Sequence, residues 1–125
     1  MIATGASATR TVAVDDRRAI GFMGPDLRVY STPAMIEDME MACRDLLLEM
    51  LEPGQDSVGA RVDVAHVGSA PLGGRVDITV AVVAVEGRRV TFEVAAATGG
   101  QPVGHGRHER AVVSLERLRA RLAAR

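Results

Sequence analysis

The chain has 125 residues, enough for one domain whose core needs no covalent staples. Hydrophobic residues make up 47% but aromatics only 2%, with no tryptophan, so Val, Ala, Leu and Met must build the core, and aromatic platforms for single-stranded nucleic acid are excluded. A net charge of −1 supplies no basic field for DNA or RNA, and the single cysteine excludes an internal disulfide or a thiolate zinc cluster.

Residues 1–10, MIATGASATR, are small and polar, with no basic patch leading into an apolar stretch. The expectation is a frayed start without a signal peptide, and a cytoplasmic protein, since no apolar run reaches the roughly 18 residues of a membrane span. Residues 11–14, TVAV, suit a short strand. Residues 15–31 mix charge, two glycines and a proline, as in irregular segments that cover a site.

The clearest helix follows. Thr32 before Pro33 suits an N-cap with proline at the first helical position. Met35, Met39, Ala42, Leu46 and Met50 recur at spacings of three and four, which makes an apolar stripe, and Pro53-Gly54 closes the pattern. After Gly59 the period becomes two. Ala60, Val62, Val64 and His66 share one face of a strand, and 68–74 is a turn. Further strands are predicted over 75–85, 88–97 and 103–113, joined by Glu86-Gly87 and by TGGQP. Residues 114–125 read as a helix with Ser114 at its cap and Leu115, Leu118 and Leu122 on one stripe. Short connections imply antiparallel neighbours, and one long helix on such a sheet is a two-layer α+β domain over 1–125. Its open sheet edges favour pairing of two copies.

Three side chains stand out. Glu40 has Ile36, Cys43, Arg44 and Leu47 as helical neighbours, so it sits on the flank of the apolar stripe. A partly desolvated carboxylate there suits a general base or nucleophile. The blander alternative, favoured by pattern alone, is an edge glutamate paired with Arg44 one turn away. His66 points where Val62 and Val64 point, and such a ring is more often a hydrogen-bonded core histidine than a catalyst. Thr32 at the helix start is a cap first, at a helix end that favours developing negative charge. His105 and His108 fall on opposite strand faces, which argues against a metal pair, and no metal is expected. No G-x-S-x-G elbow or phosphate loop occurs. Arg61, Arg75, Arg88, Arg89 and Arg107 read as solvated surface, from which a few could receive phosphates.

YSTPAMIEDMEMAC, then LEPGQDSVGARVDVAHVGSAP, VEGRRVTFEVAAA and GHGRHERAVVSLERL, in that order, resemble the fluoroacetyl-CoA thioesterase-like family of hotdog proteins. The resemblance runs from about residue 29 to the C-terminus. It implies a hotdog fold, an antiparallel sheet wrapped around one long helix. It also implies hydrolysis of a small acyl-CoA without any cofactor beyond the substrate's own CoA. Thr32, Glu40 and His66 match the family's catalytic set, with Thr32 expected to orient Glu40. Gly59 matches a glycine whose amide polarises the thioester carbonyl, and Arg110 an arginine that lines the pocket. A homodimer with acyl-CoA near its interface is implied as well. The segment before the helix departs from the family's phenylalanine-rich lid and keeps only Phe22 and Tyr30, so the resemblance supports thioesterase more firmly than fluoroacetyl selectivity. On the same fold the alternatives are a non-catalytic acyl-CoA binding or sensing module and a hydratase or dehydratase.

Overall fold

The hydrophobic period changes between Leu48 and Gln55, and the backbone changes with it. In the computed structural model, which describes residues 1–125, helix α1 (Thr32–Leu48) lies between strand β1 (Ser7–Ala13) and four longer strands. These are β2 (Gln55–His66), β3 (Arg75–Glu86), β4 (Arg89–Thr98) and β5 (Gln101–Ser114), after which α2 (Leu115–Ala123) ends the chain. The five strands form one antiparallel sheet in the order β1-β3-β4-β5-β2. The β4–β5 turn is Gly99-Gly100, with φ of 54° and 80°. Both central residues of such a two-residue hairpin lie in the left-handed region, where only glycine sits without strain.

The sheet curls around α1, which packs against all five strands, as a hotdog fold requires. Met35, Met39, Ala42, Cys43, Leu46 and Leu47 of the helix meet Val76, Ile78, Val80 and Val82 of β3, and Val90, Phe92, Val94 and Ala96 of β4. Phe92 and Tyr30 are the aromatic residues of this core, and aliphatic side chains, two methionines and Cys43 fill the rest. Truncating a side chain as deeply placed as Met35 to alanine would cost about 2–5 kcal/mol. No helix is long and apolar enough to cross a membrane.

Four boundaries differ from expectation. Strand β1 begins at Ser7, not Thr11, so residues 7–10 of the expected frayed start pair with Ile78–Ala81. As an edge strand it alternates exposed with half-buried positions, which is a weak signal in a run of small residues. Helix α1 is capped by Ser31, whose Oγ accepts from the Ala34 amide at 3.1 Å, and Thr32 is already helical. The helix stops at Leu48, leaving Met50 beyond it. Strand β2 starts at Gln55, and its ladder with β5 shifts between Gly59 and Arg61. This β-bulge inserts one extra residue, which hid the first half of the strand from a period-two reading.

The segment over 15–31 is irregular but anchored. Isolated bridges join Ala19 to Tyr30 and Val29 to Pro71. The Arg28 guanidinium donates to the carbonyls of Asp16, Ala19 and Ile20 and to the Asp16 carboxylate, stapling the base of the loop. Phe22, Met23 and Leu27 at its tip are exposed.

Candidate active site

Two hydrogen-bonded groups lie between α1 and β2, one at the start of the helix and one at its middle. At the helix start, the Thr32 hydroxyl bonds His66 Nδ1 at 2.7 Å. Because Ser31 takes the cap, the Thr32 hydroxyl is free for this bond. His66 ends β2, and its ring meets the edge of Tyr30 with centroids 6.3 Å apart at 77°.

Two turns further along, Glu40 lies against Gly59. A Cβ on Gly59 would collide with Glu40 Oε2 and touch the His108 ring, so only glycine leaves room for the carboxylate. Gly59 and His66 are seven steps apart along β2, an odd number that would put them on opposite faces of a regular strand. On β5 their partners Arg110 and Gly104 are only six steps apart. The bulge absorbs the difference, and both residues face the helix.

Behind Glu40 is a buried polar cluster. Arg110, 4% exposed, donates from Nε to Ser57 Oγ at 2.7 Å and from Nη2 to the Ser57 carbonyl at 2.9 Å. Its Nη1 reaches Glu40 Oε2 at 3.4 Å and His108 Nε2 at 3.1 Å. His108 is 2% exposed, stacks on Phe92 at 6.5 Å between centroids, and bonds the Arg61 carbonyl through Nδ1 at 2.8 Å. Burial lowers its pKa most, the bond to the Arg61 carbonyl pulls it back up, and the Arg110 charge lowers it again, with a net downward shift. Neighbouring Cys43 is a free, buried thiol pushed up to about 12 by desolvation, and is therefore unreactive.

A third group ties the covering segment to the helix. Asp38, 6% exposed, receives the Tyr30 hydroxyl and a two-pronged bond from Arg18, with Nε at 2.9 Å from Oδ2 and Nη2 at 3.0 Å from Oδ1. Burial, then the bond to Asp38, raises the Tyr30 pKa above its usual value.

The structure thus brings Thr32 to His66, and Glu40 to Gly59 and Arg110. It does not join the two groups, because Glu40 makes no hydrogen bond to Thr32 or His66. Thr32 and Glu40 are eight helical positions apart, about 12 Å along the axis. Within one protomer the expected orientation of Glu40 by Thr32 is therefore corrected: the Thr32 hydroxyl holds His66, and Arg110 holds Glu40. The blander pairing of Glu40 with Arg44 does not occur either, since Arg44 is taken by Asp56 and Asp45. Arg61, Arg75, Arg88, Arg89 and Arg107 are exposed, as expected, and of the two strand-5 histidines only His105 is exposed. Sequence reasoning missed Ser57, His108 and Asp38. The signal for His108 was available: in His-Glu-Arg, the first and third residues share a strand face, so it had to accompany Arg110. No group of three or more His, Cys, Asp or Glu side chains is placed to hold a metal ion.

A model of the fluoroacetyl-CoA-specific thioesterase family matches residues 14–116. A fluoroacetyl-CoA thioesterase of Streptantibioticus cattleyicolor is 39% identical over 94 residues, covering 75% of this chain and 68% of that protein. Among solved structures, a fluoroacetyl-CoA thioesterase at 31% identity superposes with a TM-score of 0.89 over 100% of this chain and 98% of its own. A hot-dog-like protein from Thermanaerovibrio acidaminovorans at 32% identity gives 0.88 over 97% and 90% of the two chains. A thioesterase superfamily member from Thermus thermophilus at 30% identity gives 0.89 over 99% and 93%.

Proposed function

This chain belongs to the fluoroacetyl-CoA-specific thioesterase family and is a thioester hydrolase, and we propose that it cleaves a small acyl-CoA with Thr32, Glu40, Gly59, His66 and Arg110. The observation that carries this reading is the helix-facing side of β2, where Gly59 and His66 each meet one reactive side chain of α1, Glu40 and Thr32. Hydrolysis breaks the bond between acyl carbon and sulfur, joins a water oxygen to the acyl group, and returns a proton to the CoA thiolate. The Gly59 amide stabilises the developing oxyanion. Glu40 acts as general base on water or as nucleophile, with Arg110 fixing its carboxylate. His66, held in orientation by Thr32, manages the proton of the leaving thiol.

The same reading includes a homodimer. β2 is an edge strand, bonded only to β5, with Val58 and Val62 exposed. Such an unpaired, partly apolar edge is a template for a second copy. Antiparallel pairing of two β2 strands centred between Val62 and Asp63 would set Gly59 of one against His66 of the other. That arrangement supports a site shared by two protomers, with Glu40 from one and the Thr32–His66 pair from its partner.

The test is release of CoA thiol from acyl-CoAs of increasing chain length, fluoroacetyl-CoA included. Short chains are expected to turn over, and Glu40→Gln to lower kcat by about a hundredfold or more with the fold intact. Absence of thiol release from every acyl-CoA overturns the activity, and full activity in Glu40→Gln overturns the role of Glu40.

A further inference from the structure

His108 lies beside Gly59 and bonds one side chain assigned to the reaction, Arg110, and its two nitrogens have partners of fixed character. Nδ1 lies 2.8 Å from the Arg61 carbonyl, which only accepts, so Nδ1 carries the proton. Nε2 lies 3.1 Å from Arg110 Nη1, which only donates, so Nε2 carries none. The surroundings therefore specify a neutral imidazole in a single tautomer. The other donors of Arg110 are anchored on Ser57 through Nε and Nη2. Nη1 has two hydrogens, and its two partners are His108 Nε2 and Glu40 Oε2. A relay runs from the Arg61 carbonyl through His108 and Arg110 to the Glu40 carboxylate.

We infer that His108 is a positioning residue that works through Arg110: as a neutral acceptor it aims one guanidinium nitrogen at Glu40, and its protonation disconnects the relay. An imidazolium would point an N–H at the N–H of Arg110, and two cations would share a buried space. The charged groups around the ring are Arg110 and Glu109 on β5 and Glu40 on α1. β4 contributes the apolar Phe92 face, and β2 contributes the Arg61 carbonyl and Gly59. Burial and then Arg110 oppose protonation, while the bond to the Arg61 carbonyl and the two glutamates favour it. The bulge in β2 lies directly opposite, where the ladder with β5 shifts.

This inference rests on the proposed role of Glu40, and its test separates the two. Long-range proton–nitrogen NMR correlations of the wild-type protein near pH 7 are expected to show His108 neutral with its proton on Nδ1, whether or not any substrate turns over. A proton on Nε2 overturns the inference. His108→Leu removes the acceptor and is expected to lower kcat about tenfold or more while KM changes less than about threefold. His108→Gln offers one donor and one acceptor that do not titrate. It is expected to regain most of that kcat and to lose one ionisation from the acid limb of the kcat–pH profile. A His108→Leu protein with wild-type kcat, or a folded His108→Gln with the wild-type acid limb, overturns the inference while leaving the thioesterase reading in place. Wild-type protein without hydrolytic activity overturns the reading itself. Should His108→Leu fail to fold, His108→Gln and the tautomer still decide.

Discussion

Tyr30 is the only tyrosine and there is no tryptophan, so absorbance follows its phenol alone. Burial and the bond to Asp38 hold that phenol protonated beyond its usual range near pH 10. Above pH 10 the unfolded chain therefore binds fewer protons than the folded one, and stability falls as pH rises. Spectrophotometric titration is expected to show no tyrosinate through pH 10, and then its appearance together with loss of circular dichroism. Ionisation near pH 10 in a fully folded protein would contradict the buried position. At this scale the sequence was legible where a residue's neighbours lie within a turn or on one strand face. Glu40 on the stripe's flank and His66 on the inward face are such cases. Asp38 was not legible, because its partner Arg18 is 20 residues away and folds over it from an irregular segment.

Ser31 and Thr32 show two neighbouring hydroxyls dividing labour at one helix start. Ser31→Ala is expected to cost about 0.5–2 kcal/mol through loss of the cap, read as a lower Tm with kcat nearly unchanged. Thr32→Val keeps the shape but removes the bond to His66, so kcat should fall while Tm moves little. Melting curves and thiol-release rates on the two variants check the division, and a kcat loss in Ser31→Ala as large as in Thr32→Val would contradict it. The rest of α1 is laced to both sheet edges, by Arg10–Asp45 at 2.7 Å toward β1 and by Arg44–Asp56 at 2.6 Å toward β2. Those arginines hold both carboxyls below their ordinary range. Elements with strong local periodicity, α1 and the hairpins of β3, β4 and β5, were readable from the chain alone. The start of β1 and the bulge in β2 were not, since an edge strand and an extra residue both blur alternation.

For the molecule as a whole, one protomer keeps Glu40 apart from the Thr32–His66 pair, and the proposed dimer would unite Glu40 of one copy with His66 of the other. Mixing Glu40→Gln and His66→Ala proteins under conditions that exchange subunits tests this. Random pairing would restore about a quarter of wild-type activity, because half of the dimers would each carry one intact site. No recovery on mixing, with exchange verified, would place the whole site within one protomer. An open sheet edge was foreseeable, but which strand forms it depends on strand order, which the chain does not spell out locally. The bulge in that strand also bears on how its length can vary. Between Gly59 and His66 the strand carries one residue more than β5 needs to span the same distance. Loss of any single residue there can be absorbed by straightening the strand, leaving both ends facing the helix. Gain of one residue has no such slack and would turn one end outward. Relatives should therefore tolerate a deletion in this stretch far more readily than an insertion.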